Sequence, residues 1–234
     1  MNPAGLSARL DSLISSLKSE ERTLLQARLQ TLISAFPFNQ YEYTLMTLLH
    51  NKVISFTEYE TLRGLYVSGN KYLELYGLAP RIFGEIWGQK HLMDLDARFV
   101  KPNKKLDPKY DGEYDLRVNS SRIEVKAARA INTKKRGDLV SKALHHASTD
   151  PFWMNFQQIK LDVCDAFIFL GVWVDSIVYW VLSLDEVKSN PYLSHQHRGG
   201  VEYQIGITQG NIREFDCYKV EPPKLVDTIL KKDV

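Results

Sequence analysis

Two short segments in the middle of the chain alternate apolar and polar residues on either side of a turn-forming cluster. The segments run from Glu113 to Val118 and from Arg122 to Ala127, and the cluster runs from Asn119 to Ser121. Alternation with a period of two is typical of a half-buried β-strand, and Asn and Ser favour turns. The sequence therefore predicts a β-hairpin, so the fold must contain a sheet that holds it.

Helical patterns fill the first third of the chain. Apolar residues recur at helix spacing from Leu6 to Leu17 and from Leu25 to Ile33, and Pro37 marks the end of this pattern. We therefore expect residues 1–78 to form a helical N-terminal region and residues 79–234 to form the core.

Two further helices are marked by their first residues. Thr57 and Glu60 have the spacing of a capping box, at the start of a helix that runs through Leu65. Pro80 is a favoured first helical residue, and it precedes a helical pattern from Arg81 to Leu95.

The order of elements after the hairpin indicates the fold class. Helical patterns are expected near Asp138–Ala147 and Phe152–Lys160, and two strands at about Ala166–Val172 and Ile177–Leu184. Helix, hairpin, helix and strands in this order predict an α/β core with a central mixed β-sheet flanked by helices.

The sequence lacks the features of several other protein classes. The most apolar stretch, Ala166 to Leu184, is interrupted by Asp175 and therefore predicts buried strands, not a membrane span. Cys164 and Cys217 lack the spacing of a zinc site or a disulfide framework, and we expect both to be buried. We find no Gly-rich phosphate loop and no secretion signal. We therefore expect a cytoplasmic protein that uses no nucleotide cofactor.

Three side chains of the predicted hairpin are expected to converge. Glu124 and Lys126 lie two residues apart on one strand and therefore share a face. Asp115 lies on the polar face of the preceding strand and can reach the same side if the two strands pair. Two carboxylates and one ammonium group would then occupy a small volume.

Such a trio is suited to magnesium-dependent chemistry on phosphate. Carboxylate oxygens are hard ligands for Mg²⁺, which keeps positions for water and a phosphate oxygen. The metal lowers the pKa of bound water and neutralises charge on the phosphate. The lysine can position or help to deprotonate the attacking water, and it stabilises negative charge in the transition state.

Asp115, eight intervening residues and then Glu124-Val125-Lys126 resemble the motif of the PD-(D/E)XK nuclease superfamily, in particular its restriction endonucleases. The resemblance covers roughly residues 80–185. It implies a restriction-endonuclease-like core, with Asp115 and Glu124 as ligands of Mg²⁺ and Lys126 as the catalytic lysine.

The first ligand has rivals in the sequence. Tyr114 stands where the motif has proline, although that position varies in the family. Asp111 lies in a Gly-containing turn, and Glu113 shares the polar face with Asp115. We prefer Asp115 because it lies inside the alternating segment. The alternative to a catalytic site is an exposed ion pair on a surface hairpin, which stabilises a protein little.

Glu85 is a third candidate metal ligand. In this superfamily a helix ahead of the core often carries an acid that approaches the metal, and the segment from Arg81 to Glu85 resembles that element. Arg81 and Glu85 could equally form an i,i+4 ion pair on a solvated helix face.

Basic and amide residues after the motif are candidates for DNA binding. Phosphate contacts supply much of the affinity for DNA, and Asn, Gln and Arg can read base edges. The same residues could instead be ordinary exposed side chains of a charged loop, a helix and a Gly-rich loop. The predicted DNA-binding residues are Arg129, Lys134, Lys135, Arg136, Asn155, Gln158, His195, His197 and Arg198.

Together these features predict a type II restriction endonuclease of the bacterial cytoplasm. It would use Mg²⁺ to hydrolyse phosphodiester bonds in double-stranded DNA at a specific sequence, as a homodimer, with residues 1–78 as a dimerisation or DNA-binding lobe. A repair or junction-resolving nuclease of the same superfamily and a non-catalytic DNA-binding protein are the alternatives.

Overall fold

The computed structural model describes residues 3–31, 37–195 and 202–232. Across these residues the chain is a mixed α/β protein with two four-stranded sheets. The helices are α1 Pro3–Ser15, α2 Ser19–Thr31, α3 Pro37–His50, α4 Phe56–Gly69, α5 Gly88–Leu95, α6 Leu184–Lys188 and α7 Leu225–Lys232. The strands are β1 Leu116–Val118, β2 Ser121–Arg129, β3 Ile131–Asn132, β4 Phe152–Ile159, β5 Ala166–Val172, β6 Ile177–Ser183, β7 Leu193–His195 and β8 Tyr203–Thr208.

Helices α1 to α4 pack around a cluster of their own, in which Leu45, Leu48 and Leu62 are fully buried. The predicted helical character of this region is confirmed, with two corrections. Pro37 begins α3 and does not end the helical pattern, as its fixed φ suits a first helical position. The capping box is formed by Ser55 and Glu58, two residues before the predicted pair, so α4 begins earlier than expected.

The first sheet has the strand order β1-β2-β5-β6 and contains the predicted hairpin. β1 and β2 are antiparallel, with Leu116 opposite Ile123, whereas β2 and β5 are parallel and β5 and β6 antiparallel. The expected mixed sheet is therefore present. The predicted helix from Pro80 to Leu95 is also present, although its middle, Ile82–Trp87, is a π-helix.

The second sheet, of order β3-β4-β8-β7, is wholly antiparallel and was not predicted. The segment Phe152–Lys160, predicted as a helix, forms its strand β4 because Phe152, Met154 and Phe156 alternate into the space between the two sheets. The segment 138–147, also predicted as a helix, consists of turns, irregular backbone and one isolated β-bridge at Ala143.

The molecule is layered as helices, first sheet and second sheet. Helices α5 and α7 cover one face of the first sheet through Leu92 and Ile229. Its other face carries Phe167 and Phe169, which pack against the second sheet. Cys164 is buried as expected, but Cys217 is exposed, so that expectation was wrong for one of the two cysteines.

No helix in the described part of the chain is both long enough and apolar enough to span a membrane.

Candidate active site

The hairpin brings Asp115, Glu124 and Lys126 together at the end of a cleft. Asp115 lies just before β1, where its backbone N–H donates to the carbonyl of Ile123 at 3.0 Å. This bond extends the hairpin by one residue and places Asp115 beside Glu124. Glu124 and Lys126 lie opposite Phe167 and Phe169 of β5, so both point towards the second sheet. The predicted convergence follows from the hairpin register.

Both oxygens of Asp115 are held by donors. Its Oδ2 accepts the backbone N–H of Val125 at 2.8 Å, and its Oδ1 accepts the side-chain amide of Gln89 at 2.7 Å. Gln89 lies in α5 and is buried, and its Oε1 in turn accepts a hydrogen bond from Lys101 Nζ. The position of this carboxylate is therefore fixed by the hairpin backbone and by a helix.

Glu124 is almost completely buried. Its Oε1 lies 2.7 Å from Lys126 Nζ, and the exposed fractions of the two side chains are 4% and 17%. Its Oε2 accepts the backbone N–H of Lys160, just after β4, at 3.0 Å. The alternative of an exposed surface ion pair is therefore wrong, because this pair is enclosed between the two sheets.

The two carboxyl groups share an environment that disfavours negative charge. Burial raises the pKa of Asp115, and the N–H of Val125 and the nearby lysine charges offset only part of this effect. Burial also raises the pKa of Glu124; Lys126 opposes this rise, whereas the negative charge of Asp115 adds to it. A cation between these carboxylates would relieve the cost of their charges.

The residues present fit a magnesium ion. Mg²⁺ is commonly held by one or two carboxylates and keeps several water ligands, so it does not need a closed protein cage. In the described residues no group of three or more His, Cys, Asp or Glu side chains has the arrangement of a metal site. Asp115 and Glu124 supply two carboxylates to one cleft, a number of protein ligands that this ion commonly uses.

The cleft that contains these residues has a volume of about 1040 Å³. The helical segment from Pro80 to Gln89 lines one wall, and strand β4 lines another. Lys101, Lys126 and Lys160 contribute to its lining, and their charges favour the ionised form of Asp115. Three further acids, Glu85, Glu113 and Glu202, line the same cleft, so its lining carries both signs of charge. The cleft is large enough to admit part of a polymeric substrate and is not limited to a metal ion.

The rival acids are less well placed than Asp115. Glu85 lies on the cleft wall, but it is 59% exposed and pairs with Arg81 at 2.9 Å. Glu113 also lines the cleft, and its Oε2 accepts the backbone N–H of Asp111 at 2.7 Å. Each of these acids therefore has a partner outside the Asp115–Glu124 pair, and the role predicted for Glu85 as a metal ligand stays a prediction.

Arg129 is engaged within the protein. Its guanidinium donates to the carbonyls of Leu75 and Leu78 at 2.8 and 2.6 Å, and it lies 3.9 Å from the ring centroid of Phe83. Burial lowers its pKa. These contacts tie β2 to the π-helix and to the segment before it. The contact of Arg129 with DNA stays a prediction.

The predicted basic loop is exposed, and hydrogen bonds to Asn132 hold its first residues in place. Lys134, Lys135 and Arg136 are all exposed, and the backbone N–H groups of the two lysines donate to Asn132 Oδ1 at 2.8 and 3.3 Å. Asn132 is buried and donates to Asp150 at 2.9 Å. The loop therefore presents its charges to solvent from a fixed point at the end of β3.

The remaining predicted DNA-binding residues lie on the second sheet or outside the described residues. Asn155 and Gln158 line the cleft from β4, and Gln158 occupies a bulge with a φ of 58°. His195 is exposed at the end of β7 and packs against Tyr203. His197 and Arg198 lie outside the described residues.

Gln89 was missed in the sequence. A lone glutamine in a helical pattern carries no recognisable signal, and its contact with Asp115 depends on how α5 packs against β2. Lys101 lies upstream of the hairpin in the sequence, and the structure brings it to Gln89.

Comparison of the chain with models of known protein families and with curated protein sequences finds no match.

Proposed function

We propose that this protein is a magnesium-dependent DNA endonuclease of the PD-(D/E)XK type, and that it acts as a type II restriction endonuclease. The observation that carries the proposal is the convergence of Asp115, Glu124 and Lys126 at the enclosed end of a cleft. The motif spacing in the sequence supports the same function, and so does the mixed sheet that holds the hairpin.

In this proposal each residue has a defined task. Asp115 and Glu124 would hold Mg²⁺, and the ion would supply an acidified water and charge neutralisation at the phosphate. Lys126 Nζ forms an ion pair with Glu124 Oε1. It can orient the attacking water by hydrogen bonding and stabilise negative charge on the phosphate oxygens.

The charge distribution supports a polyanionic substrate. Lys101 and Lys160 line the cleft together with the carboxylates. The basic loop at Lys134, Lys135 and Arg136 is exposed and follows β3, which comes directly after the strand that carries Glu124 and Lys126. Basic groups near a metal site allow a nucleic acid to bind through its phosphates, with release of counterions.

Supercoiled plasmid incubated with the protein tests the proposal directly. With Mg²⁺ we expect cutting, and with EDTA or with the Lys126→Ala variant we expect none. Discrete fragments from an intact duplex would support a restriction endonuclease, whereas cutting confined to branched or damaged DNA would support a repair or junction-resolving nuclease. DNA binding without cutting, at any metal concentration, would contradict catalysis and leave a DNA-binding protein.

A further inference from the structure

Strand β4 carries an exposed tryptophan, Trp153, on the face that points away from the core, and this residue lines the cleft. Trp153 is 43% exposed, whereas Trp173 and Trp180 are almost fully buried. The neighbouring residues Phe152 and Met154 point into the core, so the strand turns Trp153 outwards. An exposed indole costs hydrophobic free energy, and its place in the lining of the candidate active-site cleft indicates a use there.

Gly206 leaves room for this indole. It lies on β8 opposite Asn155, two residue pairs along from Trp153, and a β-carbon at this position would lie 2.2 Å from Cη2 of Trp153. Any larger residue would therefore displace the ring from the sheet. The absence of a side chain lets the six-membered ring cover the backbone of β8, so the strand supports the ring from one side.

Amide side chains adjoin the indole on the same face. Asn155 is two residues from Trp153 on β4, and its Nδ2 donates to Gln204 Oε1 at 3.1 Å. Gln157 follows two residues later, is exposed and also lines the cleft. Amides carry both donors and acceptors, which match the edges of nucleobases.

We propose that Trp153 stacks on an unpaired nucleobase of the nucleic acid in the cleft, and that Gln157 contacts the edge of that base. This inference rests on the proposed function and names a base-binding subsite for it. A planar ring supported by the backbone of β8 offers a stacking surface that accepts any base, because every base has a π-face. Lys160, which is exposed and lines the same cleft, can bind a neighbouring phosphate.

The experiment uses the full chain in EDTA, so that cutting does not interfere, and a single-stranded oligothymidylate as the probe. An abasic oligonucleotide of equal length supplies the same phosphates without bases, and thymidine monophosphate tests a free nucleotide. Intrinsic tryptophan fluorescence and binding isotherms are measured for the wild type, Trp153→Phe and Trp153→Leu. Phe56→Leu is the control, because Phe56 is an exposed aromatic outside the cleft.

We expect oligothymidylate to quench the fluorescence of the wild type and of Phe56→Leu, and Trp153→Phe to lose most of this quenching. Trp153→Leu should bind oligothymidylate about 5- to 150-fold more weakly, the range found when a base-stacking aromatic is removed. All variants should bind the abasic probe equally, and the monophosphate should bind more weakly than the polymer.

Equal affinity of the wild type for base-containing and abasic probes would overturn the inference, as would quenching that persists in Trp153→Phe or the absence of any binding. Plasmid cutting with Mg²⁺ is measured on the same proteins. If the wild type cuts while Trp153 proves irrelevant to base binding, only the subsite is wrong. If the wild type neither cuts nor binds, the proposed function fails as well.

Discussion

The side-chain amide of Gln89 donates a 2.7 Å hydrogen bond to Oδ1 of Asp115. The contact exists because α5 packs closely on β2 at Gly88, where an added β-carbon would already touch Val125 and Leu170. Gln89 is thereby held next to the hairpin. It acts through Asp115 and is a positioning residue for the candidate metal site.

Replacement of Gln89 by alanine should weaken metal binding. Loss of a hydrogen-bond partner behind a metal ligand commonly costs about 10- to 100-fold in metal affinity or activity. Titration calorimetry with Mg²⁺ measures the affinity, and cleavage kinetics should show a lower kcat with little change in KM for DNA. Lys90→Ala is the control, because Lys90 is the next residue and pairs with Asp94 in solvent. Equal metal affinity in Gln89→Ala and the wild type would remove the positioning role.

The contrast between Gln89 and the hairpin explains what the sequence could predict. The hairpin was predictable because its alternation is local, and a register fixed by a short turn then places Asp115 beside Glu124. The contact of Gln89 depends on the packing of a helix against a sheet, which no short pattern encodes. The sequence therefore predicted the convergence of Asp115, Glu124 and Lys126 but not the contact of Gln89 with Asp115.

Strand β4 shows a second limit of local patterns. Its first five residues alternate between buried and exposed positions, but Gln157 and Gln158 are both exposed because the strand has a bulge there. The bulge interrupts the period of two, and the segment was predicted as a helix. Its partner β8 lies more than forty residues later in the sequence, so the pairing that stabilises β4 is not visible locally.

Lys126→Ala should abolish cutting while folding and DNA binding persist. Removal of a group that acts in proton transfer commonly lowers the rate about 10²- to 10⁴-fold. Plasmid cleavage measures the rate, circular dichroism measures the fold, and filter binding in Ca²⁺ or EDTA measures the affinity for DNA. Lys90→Ala again serves as a control. A Lys126→Ala protein that cuts at the wild-type rate would exclude Lys126 from the mechanism.

Charge reversal of Lys134, Lys135 and Arg136 should weaken DNA binding and reduce its dependence on salt. Each phosphate contact that is lost lowers the slope of log affinity against log salt by about 0.9 for duplex DNA. Binding isotherms over a salt series give this slope. An unchanged slope would show that the loop does not contact DNA. The control reverses three exposed basic residues on other elements, Lys188, Arg213 and Lys224.

Asp165→Asn should destabilise the strand that carries Glu124. Asp165 accepts the backbone N–H of Arg122 at 2.8 Å and pairs with its guanidinium at 2.7 Å, which joins the start of β2 to β5. We expect a loss of about 1–2 kcal/mol in the free energy of unfolding, between the values for an exposed ion pair and for a hydrogen bond to a charged group. Urea unfolding at pH 7 measures it, and Asp185→Asn on exposed α6 is a control for the loss of one carboxylate.

The same contact should make stability depend on pH. Burial raises the pKa of Asp165, but the hydrogen bonds and charge of Arg122 lower it more, so its pKa lies below the ordinary value of 3.8. The stabilisation is therefore fully present above about 3.8 and is lost as the pH falls through the lower folded pKa. The difference in unfolding free energy between the wild type and Asp165→Asn should shrink over that acidic range. A constant difference would assign the effect to packing.

The last prediction is that two copies of the chain cut the duplex together. The described residues contain one set of Asp115, Glu124 and Lys126, whereas a double-strand break needs two phosphodiester cuts. Two copies related by a two-fold axis would place one site on each antiparallel strand and read a palindrome symmetrically. The mass in solution, with and without cognate DNA, should therefore correspond to two chains per site, and supercoiled plasmid should give linear product with little nicked intermediate.

Mixing the wild type with Lys126→Ala separates this arrangement from a monomer that cuts the strands in turn. A dimer of one active and one inactive chain can cut only one strand, so a mixture allowed to exchange subunits should accumulate nicked circles that the wild type alone does not produce. Independent monomers would give the product pattern of the wild type at a lower rate, because the inactive chains only compete for sites. One chain per site, with nicked circles preceding linear product in the wild type, would contradict the dimer. The chemistry assigned to Asp115, Glu124 and Lys126 would stand in either case, since each strand is cut by one complete set of these residues.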